Sequence, residues 1–157
     1  MELQHAPIAK AEMLIRRPAA EVFQAFVDPA VTTKFWFTKS SGPLEEGTEA
    51  RWDWEMYGVS TRVVVKAIEK DRRILIDWDD PATQVEWLFA PRPDSTTFVT
   101  VTNSGFVGDG DAVVAQAMDS KGGFSFVLAG LKAYLEHGVT LNLVADHAPD
   151  AHKKTDP

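Results

Sequence analysis

The sequence ARWDWEM at residues 50–56 alternates strictly between apolar and charged side chains. Ala50, Trp52, Trp54 and Met56 fall on one face, and the intervening arginine, aspartate and glutamate fall on the other. A period of two residues is typical of a β-strand with one face buried and one face in solvent. The stretch therefore predicts a half-buried strand with an aromatic inner face.

Four further strands are predicted downstream, and turn-forming residues separate them. They are Thr61–Ile68, Arg72–Trp78, Thr83–Phe89 and Thr96–Thr102. Their close spacing predicts an antiparallel meander. In the last strand either Val99, Val101 and Asn103 or the alternate residues face inward, and the pattern leaves both open. A short strand near Ser40–Leu44 is also expected, although its glycine and proline weaken the signal.

Two short helices are predicted between a first strand and this meander. Residues 11–17 form the first strand, and Pro18 supplies a fixed φ suited to a first helical turn. The segment Glu21–Val27 has the apolar spacing of a short amphipathic helix. Asp28 interrupts it and can cap a second helix that runs from Pro29 toward Lys34.

A long helix is predicted after the meander, from Asp111 to His137, with Gly138 at its end. Because glycine is a poor helix former, we expect a break at Gly122-Gly123. No repeat or linker divides the chain, which predicts a single domain over residues 1–157. Residues 8–138 would be its core and 145–157 a flexible tail.

Composition and charge limit the classes of partner. The chain has 16 basic and 23 acidic side chains and a net charge of −7, which disfavours nucleic acid and anionic lipid surfaces. It contains no cysteine, and neither a signal peptide nor a stretch of membrane-spanning length is evident. We therefore expect a soluble, cytoplasmic protein without membrane insertion, and the sequence leaves a homodimer open.

The predicted helices and strands can bury their apolar faces if the sheet curls around the final helix. This arrangement is the α+β helix-grip fold. Ile15–Phe23, Asp28-Pro29 and Phe35-Trp36 resemble the opening of the START-like superfamily, also called SRPBCC or Bet v 1-like. Gly123-Phe124 and residues 128–138 resemble the final helix of one branch, the activator of heat-shock-protein-90 ATPase homologue C-terminal domain. Phe124 stands where that family commonly has tryptophan.

The resemblance implies function only broadly, because its motifs are structural. Superfamily members bind lipids, sterols, polyketides or plant hormones, and a minority catalyse cyclisation or hydration in the same cavity. Together with the tryptophan-lined inner face, the resemblance predicts non-catalytic binding of a small, largely hydrophobic ligand between the sheet and the final helix. A cyclase or hydratase type of enzyme and a chaperone-associated interaction module remain as alternatives.

Twelve residues are candidates for the cavity wall, because they lie on the predicted inner face or near predicted strand ends. They are Trp36, Trp52, Trp54, Tyr57, Trp78, Trp87, Phe89, Asn103, Gln116, Phe124, Ser125 and Leu128. A filled core is the alternative for each aromatic residue. Because several indoles are hard to pack without voids and each N–H needs a partner, the set as a whole favours a cavity.

No catalytic residue, metal site or cofactor is predicted. Three of the four histidines, His5, His147 and His152, lie in expected tails, and His137 lies at a helix end, where it suits the helix dipole. The acidic group Asp77, Asp79 and Asp80 precedes a proline and is interpreted as a solvated turn. Nucleophile elbows, phosphate-binding loops and dinucleotide fingerprints are absent from the sequence.

Overall fold

A computed structural model describes residues 1–153 and contains one curved antiparallel sheet and one long helix. The strands are β1 (Ala9–Ile15), β2 (Lys39–Ser40), β3 (Glu49–Trp54), β4 (Val59–Glu69), β5 (Arg73–Trp78), β6 (Thr83–Arg92) and β7 (Thr96–Ser104). The α-helices are α1 (Ala19–Val27), α2 (Pro29–Thr32), α3 (Gly110–His137) and α4 (Leu143–Asp146). This confirms the predicted α+β helix-grip fold.

The sheet has the strand order β1-β7-β6-β5-β4-β3-β2, and all neighbours are antiparallel. Strands β3 to β7 form the predicted meander. The expected strand near Ser40–Leu44 is reduced to the two residues of β2, since Gly42 and Pro43 follow it. On β7 the side chains of Val99, Val101 and Asn103 are buried, which decides the facing that the sequence leaves open.

The helix ends follow from local chemistry. The Asp28 carboxylate accepts a hydrogen bond from the Ala30 backbone N–H at 3.0 Å and caps α2. Asp109 caps α3 in the same way, through the Ala112 N–H at 2.8 Å. Gly138 ends α3 in the left-handed conformation, with φ +65°.

The predicted break of α3 at Gly122-Gly123 is wrong, because the helix is continuous from Gly110 to His137. Directly after the glycine pair, Phe124, Val127 and Leu128 are buried against the sheet. Their packing outweighs the low helix propensity of two glycines, which is about 1 kcal/mol each. No helix within residues 1–153 is long and apolar enough to cross a bilayer.

Candidate functional site

A partly open cavity of about 1190 Å³ lies between the sheet and the middle of α3. Residues from β3, β4, β5 and β7, the β5–β6 turn, α3 and α4 line it. Ligand pockets in proteins typically have volumes of about 300 to 1,000 Å³. The cavity is therefore large enough for a whole small molecule.

The apolar wall of the cavity is a continuous aromatic surface formed by Trp36, Trp54, Trp78 and Phe124. The Trp36 ring centroid lies 6.2 Å from that of Trp54 and 5.8 Å from that of Trp78. The Phe124 centroid lies 5.7 Å from both Trp36 and Trp78. At these distances the rings pack on one another. They form a single wall for an apolar ligand and leave no room for a ligand between them.

Solvent reaches the four rings of this aromatic wall unequally. Trp36 and Phe124 are buried, whereas Trp54 and Trp78 are half-buried because their outer ring surface borders the cavity. The buried Nε1–H of Trp78 has no hydrogen-bond acceptor among the described protein atoms. A buried donor without a partner typically costs about 1–3 kcal/mol, and a ligand in the cavity could pair with this inaccessible N–H only if the indole moved.

Most of the polar side chains in the wall already have protein partners. Asn103 Nδ2 donates to Thr83 Oγ1 at 3.0 Å and to the Gln84 carbonyl at 2.8 Å, and its Oδ1 accepts from Ser120 Oγ at 2.8 Å. Asn103 thus connects β6, β7 and α3 by hydrogen bonds at the cavity wall. Gln116 Nε2 likewise donates to the carbonyls of Val107 and Ala112.

Three carboxylates, those of Asp79, Asp80 and Asp119, line the cavity, and none forms an ion pair within residues 1–153. The only arginine in the wall, Arg62, is paired with Glu49, with Nε 2.9 Å from Oε2. Because that pairing compensates the arginine charge, the wall carries uncompensated negative charge.

Asp79 is the carboxylate held most firmly. The Thr61 hydroxyl donates to its Oδ1 at 3.0 Å and accepts from its backbone N–H at 3.1 Å. Asp79 lies in an exposed turn, but desolvation of its carboxylate by the neighbouring protein raises its pKa above the ordinary value, and the Thr61 hydrogen bond acts in the opposite direction. The predicted turn at Asp79-Asp80 is present, but it borders the cavity as well as solvent.

The C-terminal segment, residues 139–153, returns to the cavity. Val144 and His147 are part of the wall, and the His147 ring centroid lies 5.0 Å from that of Phe126 on α3. His147 Nδ1 lies 2.7 Å from the Val144 carbonyl oxygen. Residues 145–153 make contacts in the structure and residues 154–157 lie outside the described residues, so the flexible tail over 145–157 stays a prediction.

Comparison with known proteins identifies the family. The model of the family described as activator of Hsp90 ATPase homolog 1-like protein matches residues 16–136. The chain belongs to this family. No curated protein sequence matches it significantly.

Solved structures agree with this assignment. Protein SSP2350 from Staphylococcus saprophyticus is 31% identical, with 86% of this chain and 96% of that chain covered and a TM-score of 0.75. DynU16, described as a putative protein in the dynemicin biosynthetic locus, is 24% identical over 85% of this chain and 48% of that one, with a TM-score of 0.75. The Aha1 dimer from Colwellia psychrerythraea is 17% identical over 84% of this chain and 98% of that one, with a TM-score of 0.73. The last two show the shared fold.

In this activator-homologue chain, seven of the twelve sequence candidates border the cavity. They are Trp36, Trp54, Tyr57, Trp78, Asn103, Gln116 and Phe124. Their part in ligand binding stays a prediction.

The structure places the other five candidates elsewhere. Trp52, Trp87, Phe89 and Leu128 are at most 2% exposed and belong to the packed core. The Ser125 hydroxyl is exposed and donates to the Lys121 carbonyl one helical turn earlier. Inward-facing residues of the sheet are therefore of two kinds: those covered by α1 and α3 belong to the core, and those at the open end border the cavity. Alternation along a strand does not distinguish the two kinds.

Several residues of the cavity wall were not among the sequence candidates. Those on α3 could have been found from their helical spacing. On α3 the wall residues recur at intervals of three and four, the period of one helix face: Gln116, Asp119, Ser120, Gly123, Phe124 and Val127. Thr61 and Asp79 carry no comparable local signal, because their pairing joins neighbouring strands. The same holds for Val144 and His147, which reach the cavity only through the return of the chain after Gly138.

Proposed function

We propose that this chain binds a small, largely hydrophobic molecule in the cavity, without forming a covalent bond to it. The aromatic wall carries the proposal, because Trp54 and Trp78 leave indole surface bordering a volume of about 1190 Å³. Covering apolar surface contributes about 25 cal/mol per Å² before the costs of association. A ligand that covers both indoles would thereby gain most of its binding free energy from desolvation.

The charge of the wall narrows the class of ligand. Asp79, Asp80 and Asp119 repel an anion, whereas a neutral or cationic molecule meets no such penalty. We therefore propose a neutral or amine-bearing apolar ligand in preference to a fatty-acid-like carboxylate. The ligand would place its apolar body on the aromatic wall and its polar atoms toward the β5–β6 turn.

A competition titration tests this proposal. The neutral fluorescent probe N-phenyl-1-naphthylamine is bound first and then displaced by 1-octanol, octyltrimethylammonium or octane-1-sulfonate. At pH 7 we expect the sulfonate to bind roughly tenfold more weakly than the alcohol, which corresponds to about 1.4 kcal/mol. Absence of any saturable probe binding would contradict the proposed function itself.

A matched pair of variants assigns the charge selectivity to the cavity. Asp79→Asn removes a wall carboxylate, and Asp94→Asn removes one outside the wall. Both positions have left-handed backbone, with φ +69° and +65°, which asparagine accepts. We expect Asp79→Asn to reduce the preference for the alcohol and Asp94→Asn to leave it unchanged. Equal effects of the two variants would show that the selectivity arises from net charge alone.

An enzyme of the cyclase or hydratase type is a second candidate, and one observation favours it. Asp79 is a cavity carboxylate whose pKa is raised by burial and which Thr61 orients, as an acid–base group would require. Exchange of the α-hydrogens of a bound apolar ketone with D₂O, followed by NMR, tests it. Exchange that depends on Asp79 would support this candidate, and exchange at the solvent rate would exclude that proton transfer.

Two further parts of the proposal concern the oligomeric state and the cellular location of the protein. The assembly named for the Colwellia protein is a dimer, and a homodimer of this chain stays a prediction that sedimentation equilibrium can test. A cytoplasmic location is likewise part of the proposal, consistent with the absence of a membrane-spanning helix in residues 1–153.

A further inference from the structure

We infer that the C-terminal segment, residues 139–153, is a lid of the ligand site, that Val144 and His147 on it contact the ligand, and that Tyr57 holds it closed. The inference rests on the proposed function. It concerns a part of the chain that lies beyond the family match, which ends at residue 136. Membership of the family therefore does not account for this segment.

The segment reaches the cavity by a reversal of the chain. After Gly138 ends α3, the residues up to Leu141 are exposed, and Asn142 adopts a left-handed conformation with φ +56° directly before α4. This brings Val144 and His147 to the cavity wall beside Phe126. One apolar and one aromatic side chain of the segment thus face the volume that the aromatic wall borders.

Tyr57 supplies the main attachment of the segment. Its hydroxyl donates to the Val144 carbonyl and lies 3.3 Å from the Ala145 carbonyl oxygen. The Tyr57 ring centroid lies 5.3 Å from that of His152. Burial, and then the charge of Asp146, raise the pKa of the Tyr57 phenol above its ordinary value, which already keeps a tyrosine hydroxyl protonated at neutral pH.

Two further contacts, one to the turn after β3 and one within the segment, complete the arrangement. The Lys153 N–H donates to the Met56 carbonyl at 2.7 Å, next to Tyr57 in the turn after β3. His152 Nε2 lies 2.7 Å from the Ala145 carbonyl oxygen. Within residues 1–153, the hydrogen bonds that join the segment to the sheet side are therefore all made by Met56 and Tyr57.

The remainder of the segment is weakly held. Helix α4 has four residues and little stability of its own; none of them is fully buried, and Val144 is the one that packs against the hydrophobic core. Val139 and Leu141 are 45% and 46% exposed. Segments with few buried contacts open at low free-energy cost, which makes this segment the part of the wall that can move to admit a ligand.

A reversible disulfide lock tests the lid directly in the full chain. A Cβ built on Gly58 lies 3.9 Å from the Lys153 Cβ, within the range of about 3.5–4.5 Å found in disulfides. Because the chain has no cysteine, Gly58→Cys with Lys153→Cys creates a single pair. We expect the oxidised protein to bind N-phenyl-1-naphthylamine at least tenfold more slowly in stopped-flow mixing, and reduction to restore the rate. Equal rates before and after reduction would overturn the lid.

A second variant avoids the strain of a cysteine at Gly58, whose φ is +64°. Tyr57→Phe keeps the ring and removes the hydroxyl, so we expect faster association and faster dissociation of the probe. Val144→Ala should weaken affinity by shortening the contact with the ligand. If wild type binds the probe but Tyr57→Phe and Val144→Ala match it in rates and affinity, the lid inference fails and the proposed function stands. If wild type shows no saturable binding, the proposed function fails first.

Discussion

Replacement of Trp87 by alanine is expected to lower the free energy of unfolding by about 3–5 kcal/mol. Trp87 is 1% exposed, and its ring centroid lies 5.7 Å from that of Phe26 and 5.9 Å from that of Trp36. Truncation there removes a packed ring and leaves a void inside the core. Urea denaturation of wild type and variant measures the loss.

Trp54 is the matched comparison, since both residues are tryptophans on the inner face of the sheet. Trp54 is half-buried and borders the cavity, so Trp54→Ala should destabilise less than Trp87→Ala and should weaken probe affinity more. The sequence alone predicts that both variants damage ligand binding through the wall. An equal stability loss at the two positions, with probe affinity unchanged in Trp54→Ala, would show that both rings are packing residues.

Substitution of Gly123 by leucine is expected to weaken saturable probe binding while the protein stays folded. Gly123 lies on α3 in the cavity wall, and a Cβ built on it meets no atom within 4 Å. A Cβ therefore fits there, and the rest of a leucine side chain would extend into the cavity. The change from glycine should also raise helix stability by up to about 1 kcal/mol. Probe titration and thermal unfolding together measure both effects.

Gly122 provides the control for this cavity-filling variant. It precedes Gly123 on the same helix, has equally open space at its Cβ, and lies outside the cavity wall. Gly122→Leu should give a similar gain in helix stability and unchanged probe affinity. Loss of binding in both variants would indicate a general effect on α3 and would argue against occupation of the cavity.

The fold was predictable because its signals are local. Alternation from residue 50, the aspartate and proline at 28–29 and the glycine at 138 act over a few residues each. The structure confirms the elements they predict, although the strand ends at Trp54 and residues 55–57 form a 3₁₀ turn. The break at Gly122-Gly123 was predicted wrongly because helix propensity is also local, whereas the burial of Phe124 against the sheet is not.

The candidate site was predictable only in part, for a related reason. The sequence indicates which aromatic side chains face inward. It does not indicate how deeply each is buried, and this determines that Trp54 borders the cavity and Trp87 does not. The placement of His147 depends on the contact of Tyr57 with the chain 87 residues later. Such a contact leaves no periodic pattern in the sequence.

If an apolar molecule occupies this cavity, intermolecular nuclear Overhauser effects should locate it there. With N-phenyl-1-naphthylamine bound to isotope-labelled protein, we expect effects between the probe and the ring protons of Trp54, Trp78 and Phe124. Effects confined to exposed apolar side chains such as Leu88 or Met118 would place the probe on the outer surface. That result would contradict binding of the probe in the cavity.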